Sequence, residues 1–208
     1  QHDHKNRIEM VKNIAQEHNL QIGILADLQG PKIRISTFKN NEPITLSEEQ
    51  QFKLDSTIPA GQGSAEGVGY DYEQLAHDLK PGHTLLIDDG RIVLHVEQIQ
   101  ERCIHTTVVV GGQLSSSKGI NLQGGGLSAP ALTDKDKDDI LFLAQFPIDY
   151  VALSFPNSAE DIHLGRRLLH QAGLKTEIVA KIERAEAVEN IDAIIEASDA
   201  IMVARGDL

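Results

Sequence analysis

The chain has 208 residues, 40% of them hydrophobic and 24% charged, with a formal net charge of -12 and a single cysteine. That length suits one large or two small domains with a real core, and the acidic balance argues against nucleic acid as a partner. No apolar run approaches the roughly 18 residues that span a membrane, and no signal-peptide pattern opens the sequence. One cysteine excludes an internal disulfide and fits a reducing cytoplasm. Gln1 and Leu208 read as cut ends, so a fragment of a longer protein is expected.

Residues 3–18 carry Ile8, Val11, Ile14 and Ala15 at the spacing of one helix face. Residues 21–28 (QIGILADL) read as a buried-type strand, and Gly30-Pro31 forces a turn at its C-terminal end. Asp27, Lys32 and Arg34 gather there, either as a solvated loop or as part of a site. From Phe38 the texture changes to short alternating runs at 43–46, 51–55, 84–88, 91–99 and 104–110, the pattern of a small all-β domain. Asp89-Gly90 predicts a tight hairpin, and Cys103 lies in a strand-like stretch as a packing residue. Gly61-Gln62-Gly63-Ser64 lacks the ending of a phosphate loop and opens no helix, so it is no nucleotide motif. Gly124-Gly125-Gly126 reads as a flexible joint.

Helical pattern returns with Thr133, Asp134 and Asp136 as start signals, over residues 136–145. Residues 149–155 (DYVALSF) form a third apolar strand. Ser158 starts a helix carrying Ile162, Leu164, Leu168 and Leu169. The last stretch reads as strand (177–183), helix (Ala185, Val188, Ile191, Ile194 and Ile195 on one face) and strand (200–207), a βαβ unit with parallel strands.

The chemistry of that last unit lies at its strand ends. Lys181 and Glu183 project to one side of their strand, and Asp207 ends the next strand, about 4.8 Å away if the two are neighbours. Two carboxylates so placed can share a hard cation such as Mg²⁺, with Lys181 offering a compact positive charge to a phosphoryl group. The competing reading pairs Lys181 with Glu183 and leaves Asp207 as a helix cap.

Two segments resemble the pyruvate kinase family: AKIERAEAVENIDAIIEASDAIMVARGDL, through about thirty residues in order, and ADLQGPKIR, which is similar to the family's Asp-Thr-Lys-Gly-Pro-Glu-Ile-Arg. ALSF in place of the family's AVSF adds a third. The resemblance implies an α/β fold, a partial (β/α)8 TIM barrel interrupted by a small all-β barrel lid domain. Its divisions are residues 1–37 (barrel), 38–127 (lid) and 128–208 (barrel).

It further implies transfer of the phosphoryl group of phosphoenolpyruvate to ADP, giving pyruvate and ATP in glycolysis, with Mg²⁺ required and Mn²⁺ as an alternative. Lys181 and Arg34 would be catalytic. Glu183 and Asp207 would hold the metal, and Ser154, Phe155, Gly206 and Asp207 would bind substrate. Arg34, Asp89 and Lys118 would bind nucleotide. Asp27, Leu28 and Lys32 occupy the family's monovalent-cation site. There Leu28 replaces an oxygen-bearing threonine and Lys32 a glutamate, so potassium is not expected to be required. A homotetramer and a cytoplasmic location are the family's expectations. A metal-dependent aldolase or lyase acting on pyruvate or 2-oxo acids, and an inactive fragment, are the alternatives; the all-β insertion counts against the former.

Overall fold

The computed structural model describes residues 2–204. In chain order the elements are α1 (His2–Glu17), β1 (Leu25–Asp27), β2 (Ile44–Leu46), β3 (Gln51–Asp55), β4 (Gly67–Val68), α2 (Leu75–Asp78), β5 (Thr84–Ile87), β6 (Ile92–Gln100), β7 (Cys103–Val110), β8 (Gly112–Leu114), β9 (Ile120–Leu122), α3 (Asp134–Leu143), β10 (Tyr150–Leu153), α4 (Ala159–Gln171), β11 (Glu177–Ile182), α5 (Ala185–Glu189), α6 (Ile191–Ala197) and β12 (Ala200–Val203). They form two compact units, one running to Pro31 and resuming at Pro130, the other Lys32–Ala129.

The first unit is built on a four-stranded sheet of order β1-β10-β11-β12, parallel throughout. Sheet order follows chain order, as consecutive β/α connections require. The register places Asp27 beside Ala152, Leu153 beside Ala180 and Ile182 beside Val203, so the C-terminal ends of the strands come level. Val151, Leu153, Ile178, Ala180 and Ile182 are buried with Ile162 and Leu169 of α4. Gly165 lets α4 lie close on the sheet, since a Cβ there would fall 2.5 Å from Leu153 Cδ1.

Strand β1 is shorter than the run 21–28 predicts. Ile24 leaves the ladder because its N–H donates to Asp149 Oδ2 at 2.6 Å and its carbonyl accepts from Asp149 and Tyr150 N–H. A similar exchange recurs two crossovers later, where Ile178 N–H donates to Asp199 Oδ2 at 2.7 Å and the Asp199 N–H returns to Ile178 O. An acid just ahead of one strand thus fixes where its ladder with the preceding strand begins.

The helix predicted over the last βαβ unit divides at Asn190 into α5 and α6; its inward face keeps Ile191 and Ile194 as expected but takes Ala187 in place of Val188. Ala187 and Ile194 are fully buried, whereas Val188 and Ile195 are 49% and 47% exposed. Leu164 of α4 likewise lies outside the buried stripe of Ile162, Gly165 and Leu169.

The second unit holds a six-stranded sheet of order β4-β3-β7-β6-β5-β9 and a two-stranded sheet β2-β8. All its ladders are antiparallel except β3–β4. Alternation buries Phe52 and Leu54 of β3 with Ile104 and Val108 of β7. The unit is not purely β, since α2 adds one helical turn whose Leu75 enters the core. It begins at Lys32 rather than Phe38 because Arg34 bridges Gly119 and Ile35 bridges Tyr70, joining the β9 and β4 sides of the sheet through single bridges. Ala129, buried in this core, carries it past residue 127. The β5–β6 turn is longer than a two-residue hairpin. Ile87 pairs with Ile92, and Asp88, Asp89 and Gly90 are all left-handed, a region that aspartate tolerates better than most residues. Cys103 is half-buried, and burial, helped by the charge of Asp55, raises its thiol pKa.

Hydrogen bonds from backbone N–H groups hold the carboxyls of Asp149 and Asp199 below their ordinary pKa. A depressed native pKa gives stability that is complete above the unfolded-state value of about 3.9 and is lost as pH falls through the native value. Asp199→Ala, in a polypeptide of full family length carrying this chain, is therefore expected to lower the Tm at pH 7. The gap to the parent should narrow as pH falls below about 4; thermal unfolding across that range checks it.

Candidate active site

The site of the first unit is made by three strand ends. Asp27 ends β1, Ser154 and Phe155 follow β10, and Lys181 sits near the end of β11, with Glu183 two residues further on. Lys181 Nζ donates to Ser154 Oγ at 2.9 Å, to Asp27 Oδ1 and Oδ2 at 3.2 and 3.3 Å, and lies 3.1 Å from Glu183 Oε1. An ammonium has three protons, and all three directions are taken.

Burial works to lower the Lys181 pKa, but the hydrogen bond and charge of Glu183, then the charge of Asp27, outweigh it and raise the pKa above its usual value. At 3.1 Å a unit charge pair gains roughly 5 kcal/mol at an effective dielectric of about 20. With two anions present, that exceeds what desolvating a partly exposed lysine costs. Lys181 is therefore a permanent cation with a fixed direction, its side chain 13% exposed.

Glu183 is the deepest charge in this cluster, its side chain 1% exposed. Its Oε2 accepts the N–H of Phe155 at 2.9 Å. Phe155 sits at φ 57, a left-handed conformation that costs a non-glycine residue of order 1–3 kcal/mol. Two contacts hold it: the Glu183 carboxylate on its amide, and the Arg184 guanidinium 5.3 Å from its ring centroid. Arg184 also reaches Asn157 Oδ1 at 3.4 Å. Sequence reading passes over Arg184 and Asn157, since no local signal marks a cation that packs on a ring across a loop.

Leu28, assigned to a substituted cation site, buries its side chain in the core of this unit at 2% exposure, and its carbonyl accepts the Ser154 hydroxyl at 2.6 Å. It presents no side-chain oxygen. Gly206 and Asp207 lie outside the described residues. Among the described residues no group of three or more His, Cys, Asp or Glu side chains is placed to hold a metal ion. The donors that converge are Asp27, Glu183 and the Ser154 hydroxyl, hard oxygens gathered around a cation and suited to Mg²⁺.

The second unit collects the remaining candidates. Arg34 Nη1 donates to Ser117 O at 2.9 Å, and its N–H donates to Asp71 Oδ1 at 2.8 Å. Lys118 lies on the segment bridged to Arg34 and pairs through Nζ with Asp88 Oδ1 at 2.8 Å. Asp88 thus engages Lys118, and Asp89, the residue singled out in the sequence, is the exposed neighbour in the same turn. Two adjacent aspartates in one turn do not reveal from sequence which faces the cation. Lys32 Cε comes close to Gly119, 3.5 Å from where its Cβ would stand.

A parallel β/α sheet with a fixed cation and acids at the C-terminal strand ends is the arrangement of a barrel-type enzyme site. Comparison with known proteins supplies the particular family. The family described as pyruvate kinase, barrel domain, matches residues 1–208. The chain is 52% identical to the pyruvate kinase of Haemophilus influenzae over 99% of its length and 44% of that protein's. It is 51% identical to pyruvate kinase II of Salmonella typhimurium over 99% and 43%. The crystal structure of a pyruvate kinase from Cryptosporidium parvum superposes with a TM-score of 0.87 at 31% identity, over 99% of this chain and 43% of that one. The chain belongs to the pyruvate kinase family, and it spans less than half the length of these relatives.

Glu183→Ala is expected to destabilise the protein by about 1–3 kcal/mol, because the Phe155 N–H loses its buried acceptor. Denaturant unfolding of the full-length protein checks the value.

Proposed function

We propose that this chain carries the phosphoryl-transfer centre of a pyruvate kinase, which moves the phosphoryl group of phosphoenolpyruvate to ADP and yields pyruvate and ATP. The observation that carries the reading is the Lys181 ammonium, held by Asp27, Ser154 and Glu183 at the ends of neighbouring strands. Phosphoryl transfer asks a protein chiefly for positioning and charge. A lysine whose direction is fixed before substrate arrives meets both needs without reorganisation.

In this reading the bond between the enol oxygen and phosphorus breaks as a bond from the terminal ADP oxygen to phosphorus forms. Lys181 stabilises negative charge on the phosphoryl oxygens during transfer. Ser154, Phe155, Gly206 and Asp207 would bind the substrate, and the enolate left behind takes up a proton to become pyruvate. Arg34, Lys118 and Asp89 position the nucleotide, and the unit Lys32–Ala129 serves as the lid that excludes water from it. Glu183 and Asp207 would hold Mg²⁺, with Mn²⁺ as an alternative; the bound metal supplies charge neutralisation at the substrate's carboxylate and phosphate oxygens.

Potassium is not required in this reading. Leu28 offers no side-chain oxygen at the family's monovalent site, and Lys32 replaces the family's glutamate with a basic side chain. The reaction is placed in the cytoplasm, in a homotetramer of full-length chains. The single cysteine supports that compartment. Among the described residues no helix is long and apolar enough to cross a membrane.

A coupled assay for ATP formation from phosphoenolpyruvate and ADP, run on a full-length polypeptide carrying this chain, tests the reading; absence of ATP would refute it. Lys181→Met should lower kcat by a factor on the order of 10³ or more while Mn²⁺ binding, followed by electron paramagnetic resonance, persists. Replacing an inert organic cation by potassium at constant ionic strength should leave the rate within about twofold, well under the roughly 1.4 kcal/mol that a tenfold change represents.

A further inference from the structure

Asp136 is a buried carboxylate whose bonds exceed what its place in the helix requires. It is the third residue of α3 and completes a capping box with Thr133. Its Oδ2 accepts the Thr133 N–H at 2.8 Å and the Thr133 hydroxyl at 2.6 Å, and its own N–H returns to Thr133 Oγ1 at 3.1 Å. Those bonds satisfy the helix start. Asp161 shows the ordinary version at the start of α4, where one oxygen accepts from Asn157 and Ser158 and the residue is half-buried. Asp136 differs on two counts: it is 0% exposed, and its second oxygen accepts the N–H of Gly30 at 3.2 Å, from 106 residues earlier in the chain.

Gly30 belongs to the turn directly after Asp27. It sits at φ 64, and a Cβ there would lie 2.8 Å from Ser154 O and 3.1 Å from the Phe155 ring. The turn is therefore pressed against the substrate end of β10 on one side, where the Ser154 hydroxyl holds Leu28 O, and is tethered by Asp136 on the other. The chain passes into the β-rich unit just after Gly30, at Pro31, and returns just before Thr133, at Pro130. One carboxylate thus fastens both segments through which the insertion is spliced in.

We propose that Asp136 is a positioning residue for the reaction proposed above, holding the turn at Gly30 so that Asp27 stays in register with Lys181 and Ser154. It touches neither substrate nor reacting atoms and acts through the backbone of residues 27–30.

Two substitutions in the full-length polypeptide separate this role from helix capping. Asp136→Asn keeps one acceptor oxygen, which two Thr133 donors claim, and turns an N–H₂ toward the Gly30 N–H, so the tether is lost and the cap largely kept. Thr133→Val removes the hydroxyl from the cap and leaves the tether. Asp136→Asn should speed amide hydrogen exchange over residues 27–31 and lower kcat by on the order of tenfold or more, with the KM for phosphoenolpyruvate changing far less. Thr133→Val should lower the Tm by a few degrees and leave kcat and the exchange of residues 27–31 unchanged. Gly30→Ala, which displaces the same turn from the opposite side, should reproduce the kcat loss and keeps the test decisive if Asp136→Asn does not fold. The proposal is overturned if exchange at 27–31 is unchanged in Asp136→Asn, if Thr133→Val loses as much kcat as Asp136→Asn, or if Gly30→Ala retains the parental kcat. A parent polypeptide that makes no ATP refutes the proposed reaction instead, and the exchange comparison then still decides whether Asp136 holds the turn.

Discussion

A single ammonium, placed where three strand ends meet, sets the terms for everything around it. Lys181 draws Asp27 from β1, the Ser154 hydroxyl from the end of β10, and Glu183 from its own strand. Buried charge is tolerated only when it is paired and hydrogen-bonded, so these groups must converge or the sheet cannot close over the lysine. The same requirement explains Phe155. Its left-handed backbone is unfavourable alone, yet it points the amide at the second oxygen of Glu183 and gives that buried carboxylate a further donor.

The acids of the parallel unit divide by the end of the sheet they occupy. Asp149 and Asp199, ahead of β10 and β12, spend their oxygens on backbone N–H groups of the preceding strand and on Lys12 or Arg166. Through Oδ2 they register one strand against the next. Asp27 and Glu183, at the opposite end, converge instead on one side-chain cation, the Lys181 ammonium. Sheet polarity thus separates the acids that fix strand register from those that gather about Lys181.

Much of this was legible in the residues. Strand runs around Asp27, Ser154 and Lys181, the capping signal at Thr133, and the change of texture into the β-rich stretch all correspond to elements present in the structure. What escaped sequence reading has a common cause. The early end of β1 depends on Asp149, the choice of Asp88 over Asp89 depends on where Lys118 arrives, and the second role of Asp136 depends on Gly30. Each is set by a partner distant in sequence, and local propensity carries no information about such a partner.

The family rested on a resemblance of whole segments, whereas period along the chain determined the parallel β/α unit, the β-rich stretch that divides it and the placing of Lys181 and Glu183 on one side of their strand. Local spacing suffices for these, because a strand's alternation and a helix's repeat are properties of the backbone itself. Only the tertiary structure decided that Asp27 joins that pair, that Phe155 is held left-handed, that Ala187 rather than Val188 faces inward beside Ile194, and that one buried carboxylate ties both ends of the insertion. Those outcomes rest on register between strands and on which groups desolvation forces together, and neither exists until the chain has folded.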